Sequence, residues 1–476
     1  MLERQSIADG HRQEHIPPEA RKEQLDQERK QGLEKPGEKP LPQELAEDPR
    51  DVPRRIHILG TGSIGRLVAH SLRNLPNPPP VTLLLHSFKY WKAWQDSPKE
   101  IVITTEGISV ARGGFDAEFQ PASFRRHGKQ ITKEEFNEGY NRLGESEDMH
   151  ESLADREDIT ETGIYVPEGS TSDELIHSLI VSVKAPQTVT ALKTVKHRLG
   201  PESTVLFLQN GMGQIDEVNE QVFPDPETRP KYLAGIMSHG VHSGHGMQAT
   251  HAGQGTIAIG VPPSKPSSKS SAPPTSANSA PDGTSPTSRY LLRTLCRSPA
   301  LAAVPNSPTE LLQAQLDKLA MNAIINPITS LMDARNGTLL YNFALTRAMR
   351  LLLGEISLVF RSLPELSHLP NVNTRFAPDR LETLVVGIAN STRKNISSML
   401  ADVRRGQQTE IQYINGYIVK RGEELGITCY TNYLITQLVR GKQQVIYYET
   451  QDEFPVAGTD GKRDDGEQSW TPQETR

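Results

Sequence analysis

Three side chains in the segment LDKLAMNAIINP, residues 316–327, are of types suited to catalysis. Lys318, Asn322 and Asn326 are spaced four residues apart in a run that is otherwise mainly Leu, Ala, Met and Ile. In a helix this spacing places all three on one face. A lysine in a partly dry cleft can protonate a carbonyl oxygen or stabilise charge on it, and asparagine can orient a substrate. The pattern predicts an active-site wall, with a solvent-facing surface helix as the alternative.

A second group of polar side chains lies in the segment NISSMLADVRRGQQTEIQYINGY. Ser398 and Asp402 stand one helical turn apart, and Glu410 follows Thr409, a residue type that caps helix N-termini. A cap at Thr409 would place Glu410 in a first turn, where the helix dipole favours the carboxylate. An anionic Glu410 near Lys318 would keep the lysine protonated at neutral pH. The residue types leave open whether the two groups meet.

The segment GTGSIG follows an apolar strand, RRIHIL, and precedes a helix, RLVAHSL. Gly60 permits a tight turn, Gly62 lets the backbone approach a pyrophosphate, and Gly65 allows the helix to pack closely on the strand. In this strand–turn–helix context the motif predicts a dinucleotide site, with a purely structural turn as the alternative. The predicted cofactor-binding residues here are Gly60, Thr61, Gly62, Ser63, Ile64 and Gly65.

The residues after the second strand, VTLLL, bear on which dinucleotide is bound. NAD sites usually place Asp or Glu there, but this sequence reads HSFKYWK and has no acidic residue before Asp96. His86, Ser87 and Lys89 are compatible with the 2′-phosphate of NADP. The sequence therefore predicts NADPH as the cofactor, with a solvated surface role for Lys89 as the alternative.

The elements that position these residues change in character along the chain. Strands and helices alternate between residues 54 and 305, which predicts an α/β domain with a parallel sheet. We expect strands in VTLLLHS, STVLFLQ, GIMSHGVHS and GTIAIG, and a helix followed by a strand in DELIHSLIVSVKA. From 306 to 447 the apolar spacing is helical, which predicts an all-α domain. This domain contains both groups of candidate substrate and catalytic residues described above.

Four polar segments flank or interrupt these domains. They share a shortage of aliphatic residues and a high content of charge, proline or serine. We expect a disordered arm at 1–53, an insert at 112–174, a flexible Pro/Ser loop at 262–288 and a polar tail at 448–476.

The composition of the 476 residues argues against several classes of function. The net charge of −6 gives no basic field for nucleic acid or an anionic membrane. No apolar run reaches the roughly 18 residues of a membrane span, and the first residues lack a signal-peptide core. Cys296 and Cys429 form no CxxC unit, so a disulfide framework is not expected. We expect a cytoplasmic protein and leave a homodimer open.

Four histidines raise the alternative of a metal site. His239, His242, His245 and His251 lie in the segment SHGVHSGHGMQATHAG. The segment is rich in glycine and lacks nearby Asp, Glu or Cys to complete a ligand set. We therefore expect no metal there.

In chain order, the motifs resemble those of the ketopantoate reductase (2-dehydropantoate 2-reductase) family, of a fungal type with long inserts. The motifs are GTGSIG, VSVKAPQT, LQNGMG, HAGQGTIAIG, LDKLAMNAIINPITSLMDARNG and SSMLADVRRGQQTEIQYINGY. The resemblance covers residues 54–110 and 176–447. It implies an α/β N-terminal Rossmann-like domain with a parallel sheet and an all-α C-terminal domain. The latter would be of the 6-phosphogluconate dehydrogenase C-terminal-like type, with the active site in the cleft between the domains.

The resemblance also implies a role for each matching residue. The two catalytic residues would be Lys318, as proton donor, and Glu410, which would orient the substrate. The substrate-binding residues would be Asn322, Asn326, Asn336 and Ser398, with Ser398 on the substrate carboxylate. Lys184 of the VKA turn and Asn210 of the NGMG turn would face the nicotinamide half of the cofactor.

The implied reaction is the reduction of 2-dehydropantoate by NADPH to (R)-pantoate, for pantothenate and coenzyme A synthesis, with the proton supplied by Lys318. One departure concerns the cofactor. The family commonly has an arginine after the second strand for the 2′-phosphate, and here Ser87 occupies that neighbourhood, with Lys89 two residues on. Two alternatives stay open. The chain could reduce another 2-keto acid, or it could be a non-catalytic or regulatory protein on the same scaffold.

Overall fold

The structure is a computed structural model in which residues 52–120, 124–126, 129–131, 171–263 and 285–451 are described. The predicted disordered arm falls almost wholly outside these residues. Most of the predicted insert, Pro/Ser loop and polar tail also falls outside them. So does the side chain of Lys89. All described residues belong to one compact unit, Pro49–Arg476.

The strands of the described residues are β1 (Ile56–Leu59), β2 (Val81–Leu85), β3 (Ile101–Thr105), β4 (Ile108–Arg112), β5 (Phe115–Phe119), β6 (Phe124–Arg126), β7 (Lys129–Ile131), β8 (Ser178–Val181), β9 (Thr204–Phe207), β10 (Lys231–Met237), β11 (Gly240–Ser243), β12 (Gln248–Gly253), β13 (Ile257–Gly260) and β14 (Ala303–Pro305). The α-helices are α1 (Ser63–Arg73), α2 (Phe88–Gln95), α3 (Thr188–Val195), α4 (Gln214–Gln221), α5 (Pro286–Cys296), α6 (Pro308–Met332), α7 (Phe343–Arg361), α8 (Val372–Arg375), α9 (Pro378–Ser391), α10 (Ser398–Arg404), α11 (Ile411–Glu424) and α12 (Tyr430–Gln451).

Within the described part of the chain, an eight-stranded sheet has the order β14-β13-β10-β9-β8-β1-β2-β5. The six strands from β10 to β5 are parallel, whereas β13 runs antiparallel to β10. Every residue of β1, β2, β8 and β9 is buried, which is typical of a parallel sheet covered on both faces. The predicted α/β fold with its parallel sheet is confirmed.

A second sheet of four strands, β11-β12-β3-β4, was not predicted as a separate layer. It packs against α1, and Arg66 of that helix donates from Nη1 to the carbonyl oxygen of Gln248 at 2.8 Å. The helix that follows the glycine turn therefore packs between the two sheets.

Two details of the predicted elements differ from the structure. The helix expected in DELIHSL is absent, since residues 171–177 form no helix before β8 begins at Ser178. The first residues of the predicted insert form β5, which extends the main sheet beside β2. In β5, whose sequence is FDAEF, only the two phenylalanines are buried. The strand contains no continuous apolar run, so the sequence pattern did not predict it.

The helical domain is built around α6. The helix begins at a capping box, in which Ser307 accepts from the backbone N–H of Glu310 and Glu310 accepts from that of Ser307. Its buried residues join those of α7, α9, α11 and α12 in one apolar core. The predicted all-α C-terminal domain is confirmed.

Pro327 lies inside α6 and cannot donate the backbone hydrogen bond that the carbonyl of Ala323 would receive in a regular helix. Asn415 of α11, which is fully buried, supplies the missing donor from Nδ2 at 2.9 Å. The same Nδ2 donates to Asn432 of α12 at 3.0 Å. The interruption in α6 is thereby used to join three helices.

Candidate active site

Lys318 of α6 reaches the carboxyl ends of two parallel strands. Its Nζ donates to Asn210 Oδ1 at 2.9 Å and to the carbonyl oxygen of Met237 at 2.6 Å. Asn210 follows β9, and Met237 is the last residue of β10. In α/β sheets, ligands bind at the carboxyl ends of the strands. The ammonium group therefore lies at the edge where such a site is expected.

Glu410 connects the helical domain to the same edge. The residue is 5% exposed, and its carboxylate accepts from Asn210 Nδ2 at 3.1 Å and from the backbone N–H of Ala185 at 3.1 Å. The prediction of Thr409 as the cap of α11 was wrong, because Glu410 itself occupies the N-cap position. Its carboxylate does not cap the helix but turns toward the strand ends. The two groups of polar residues noted in the sequence therefore meet.

Burial and the charge of Glu410 act in opposite directions on the pKa of Lys318. Burial lowers the pKa of its ammonium group from the ordinary lysine value to about 8, although the Glu410 carboxylate acts to raise it. A proton donor works best when its pKa lies near the operating pH. Lys318 can therefore be protonated at neutral pH and still release its proton readily.

Lys184 forms an ion pair with Asp402, a residue of α10. The distance from Lys184 Nζ to Asp402 Oδ2 is 2.6 Å. Burial acts to lower the pKa of Lys184, but Glu410 and Asp402 outweigh it and the net change is upward. Burial and the Glu410 charge raise the pKa of Asp402, although Lys184 acts to lower it. Lys184 therefore stands between two carboxylates of the helical domain.

The predicted substrate-binding residues are not hydrogen bonded to this network. Asn322 is half-buried and Asn326 is 7% exposed, one and two turns beyond Lys318 on α6. Ser398 is the exposed first residue of α10. Asn336 is buried and donates to Thr392 Oγ1 at 2.9 Å, and its Oδ1 has no hydrogen-bond partner among the described residues. The roles of these four residues stay predictions.

The glycine turn has a shape that fits a bound pyrophosphate. Gly60 has a φ of +103°, and a Cβ on Gly65 would overlap the carbonyl oxygen of Gly60. A Cβ on Gly62 would have no atom within 4 Å, so the turn leaves open space there. No side chain caps α1, and its first turn contains no acidic residue. The free N–H groups and the positive end of the helix dipole favour an anion at this position.

At the adenosine end of such a site, the described side chains are polar and not acidic. His86 is exposed after β2, and Ser87 occupies the N-cap of α2 without a side-chain capping bond. The side chain of Lys89 lies outside the described residues. The carboxylate that typically binds the ribose of NAD is thus missing from the end of β2.

Several groups at the site could not be found from side-chain types. The carbonyl of Met237 and the N–H of Ala185 are backbone groups, which leave no signal in a sequence. Ser397 caps α10 and accepts from Thr329 Oγ1 at 2.8 Å. The spacing of one helical turn between Ser398 and Asp402 did indicate that they share a helix face. Nothing in the sequence identifies Lys184 as the ion-pair partner of Asp402.

The histidine-rich segment forms a pair. His239 Nδ1 and His251 Nε2 are 3.0 Å apart, and His239 Nε2 lies 2.8 Å from the carbonyl oxygen of Leu301. Because the N–H of Gly255 donates to His239 Nδ1, that nitrogen acts as an acceptor. No group of three or more metal-binding side chains occurs in the described ranges. Likewise, no helix within them is long and apolar enough to span a membrane.

Two family models match the chain and together cover more than half of it. One is described as ketopantoate reductase PanE/ApbA and matches residues 116–264. The other is described as ketopantoate reductase PanE/ApbA C terminal and matches residues 310–443. The first match begins in the segment that we had predicted as an insert, and it does not include the glycine turn.

Similar proteins include curated enzymes and solved structures. A probable 2-dehydropantoate 2-reductase of Schizosaccharomyces pombe is 29% identical over 269 residues, 56% of this chain and 74% of that protein. A ketoisovalerate reductase of Beauveria bassiana is 24% identical over 418 residues, 79% of each chain. The crystal structure of a PanE/ApbA family ketopantoate reductase from Ralstonia eutropha has a TM-score of 0.56 at 18% identity. It covers 82% of this chain and 99% of that one. At this identity the likeness concerns the fold.

Proposed function

We propose, because the chain belongs to the ketopantoate reductase family, that it uses NADPH to reduce 2-dehydropantoate to (R)-pantoate. As a family member it is an oxidoreductase. The observation that carries the proposal is the chain of hydrogen bonds from Met237 through Lys318 and Asn210 to Glu410. It holds an ammonium group of lowered pKa at the strand ends, where a keto group would be reduced.

The proposed reaction adds a hydride to the C2 ketone and a proton to its oxygen. A nicotinamide cofactor bound at the glycine turn supplies the hydride. Lys318 Nζ first stabilises the negative charge that grows on the oxygen and then donates the proton. The lysine is left neutral, and its lowered pKa makes that state accessible near neutral pH.

The other residues orient the reactants in this proposal. Asn210 and Glu410 fix Lys318, since both amide atoms of Asn210 are used, one on each partner. Ser398, exposed at the start of α10, binds the substrate carboxylate. Asn322 and Asn326 line the wall beyond Lys318. Glu410 also accepts from the terminal hydroxyl of the substrate, because a carboxylate has more acceptor positions than its two hydrogen bonds use.

The test is NADPH oxidation by the purified chain with 2-dehydropantoate, repeated with NADH and with Lys318→Ala. We expect turnover with NADPH, slower turnover with NADH, and a loss of about 10²- to 10⁴-fold in kcat for the variant. Lys193→Ala, which changes an exposed lysine of α3, is the matched control and should turn over normally. Faster turnover with NADH would overturn the cofactor assignment. A folded chain inactive on 2-keto acids would favour a non-catalytic role.

A second candidate substrate is 2-ketoisovalerate. The ketoisovalerate reductases of Beauveria bassiana and Gibberella fujikuroi match over 418 and 411 residues, whereas the S. pombe relative matches over 269. The two longer matches each cover 79% of this chain, against 56% for the S. pombe relative. This greater coverage supports 2-ketoisovalerate as a second candidate substrate, although the identities are lower.

The two substrates differ in one group that the site can read. 2-Dehydropantoate carries a terminal hydroxyl, and 2-ketoisovalerate does not. A site built to bind that hydroxyl should prefer 2-dehydropantoate by about 100-fold or more in kcat/KM. Glu410→Gln should then reduce the preference together with the rate. A preference for 2-ketoisovalerate in the unchanged enzyme would replace the first substrate by the second.

A further inference from the structure

The ion pair between Lys184 and Asp402 joins the α/β domain to the helical domain. Asp402 is the more buried partner, with 7% of its side chain exposed against 36% for Lys184. The Asp402 carboxylate depends on its partner, because a buried charge left without an opposite charge is poorly solvated. The pair is therefore suited to hold the two domains in one arrangement.

Each partner lies next to a part of the proposed site. Lys184 directly precedes Ala185, whose N–H donates to Glu410. Asp402 lies on α10, one turn after Ser398. The pair thus connects the strand ends, where the nicotinamide would react, with the short helix that would bind the substrate carboxylate.

We propose that Asp402 is a positioning residue that acts through Lys184. By holding the lysine in an ion pair, it fixes α10 and Ser398 relative to the strand ends, and it keeps the lysine from pairing with Glu410. This inference rests on the proposed function for the identity of the two ligands. The ion pair itself belongs to the protein without any ligand.

The charges around Lys184 explain why Asp402 matters for catalysis. Lys184 is attracted by both Glu410 and Asp402, and Arg405 is the further charge that acts on it. Without the Asp402 carboxylate, Lys184 would turn toward Glu410. Glu410 would then do less to raise the pKa of Lys318, which depends on that carboxylate. Loss of the Asp402 carboxylate should therefore lower the pKa of Lys318, although the structure shows no hydrogen bond between Asp402 and Lys318.

The test compares Asp402→Asn, Asp402→Glu, Lys184→Met and the double variant Asp402→Asn/Lys184→Met. We expect Asp402→Asn to lower kcat/KM for the keto acid by about 10-fold or more and Asp402→Glu to restore part of it. The alkaline limb of the pH profile should move to lower pH in Asp402→Asn. In the Lys184→Met background, Asp402→Asn should cause no further loss, because the carboxylate that it removes has already lost its partner.

The matched control is Asp333→Asn. Asp333 also forms an ion pair with a residue of α10, Arg404, whose Nε lies 2.8 Å from Asp333 Oδ1. In this pair both side chains are about half exposed to water. This variant should stay within twofold of the unchanged enzyme. Equal effects of Asp402→Asn and Asp333→Asn would overturn the proposal. So would losses that multiply in the double variant, or an alkaline limb that does not move.

The same four variants are titrated with NADPH, which requires no turnover. Non-additive changes in the NADPH dissociation constant support the coupling of Asp402 and Lys184, and additive changes overturn it. Absence of keto-acid reduction by the unchanged enzyme would instead reject the proposed reaction. The two failures are therefore distinguishable.

Discussion

Lys318 combines burial with a nearby carboxylate, and this combination gives a testable pH dependence. In the proposed reaction the protonated lysine is the required form, so kcat/KM should be level below the pKa of about 8 and fall about tenfold per pH unit above it. Glu410 raises that pKa, so Glu410→Gln should shift the fall to lower pH. The measurement is the pH profile of both enzymes under subsaturating substrate. A profile of Glu410→Gln that falls at higher pH would contradict the assigned charges.

At the scale of single residues, the sequence identifies candidate side chains better than it predicts which of them are in contact. The spacing of Lys318 and its asparagines was sufficient to predict one helical face, because helical periodicity is local. The meeting of Lys318 and Glu410 depends on how α6 and α11 pack against the strand ends, and no local pattern determines that. Asn210 links the two by using both atoms of its amide, which only the folded geometry reveals.

Among the elements, the glycine turn permits a contrast between two similar substitutions. Gly62→Ala adds a methyl group to open space, so it should cost less than about 1 kcal/mol of stability and yet weaken NADPH binding about 10-fold, because the phosphates need that space. Gly65→Ala should destabilise the fold itself by about 1–3 kcal/mol, because its Cβ would overlap Gly60. Thermal unfolding and NADPH titration separate the two effects. Unchanged NADPH affinity in Gly62→Ala would place the phosphates elsewhere.

The proline in α6 gives a second prediction at this scale. Asn415→Leu leaves the Ala323 carbonyl buried without its donor and should lower the free energy of unfolding by about 1–3 kcal/mol. Pro327→Ala returns a backbone N–H to α6, so Asn415→Leu should cost about 1 kcal/mol less in that background. Urea denaturation of the two single variants and the double variant measures this difference. Strictly additive costs would mean that Asn415 does not act as the replacement donor.

The elements themselves were predicted unevenly, for a physical reason. Buried parallel strands such as β1 and β9 are continuous apolar runs, and the helices of the second domain have strong apolar periodicity, so both are visible in the sequence. The edge strand β5 exposes one of its polar residues to water, and its five residues include two acids. The helix expected before β8 was wrong, because the backbone of this segment bonds to a distant residue. The N–H of Ile176 donates to the carbonyl oxygen of Arg198, and Arg198 Nε donates to the carbonyl oxygen of Glu174.

For the molecule as a whole, the turn after β9 is a principal contact between the domains. Gly211 has a φ of +80°, its Cβ would overlap the Tyr413 carbonyl oxygen, and the N–H of Met212 donates to that oxygen at 2.8 Å. Gly211→Ala should therefore cost about 1–3 kcal/mol of stability and lower kcat, because Asn210 moves away from Glu410.

The control for this prediction is Gly246→Ala. Gly246 also has a positive φ, of +55°, but a Cβ there would have no neighbour within 4 Å. It should cost less stability than Gly211→Ala and leave kcat unchanged. Chemical denaturation and steady-state kinetics are the two measurements. Equal kcat values for both variants would show that the turn does not position the site.

The order in which the site residues occur along the chain has a consequence for biosynthesis. Lys184 and Asn210 are translated early, Lys318 follows, and Asp402 and Glu410 come last. A ribosome-bound chain that has emerged only as far as α6 has the glycine turn and Lys318, but neither Asp402 nor Glu410. The carboxylates of the proposed site are added only when α10 and α11 leave the ribosome, so a prematurely terminated product would retain the glycine turn without the completed site.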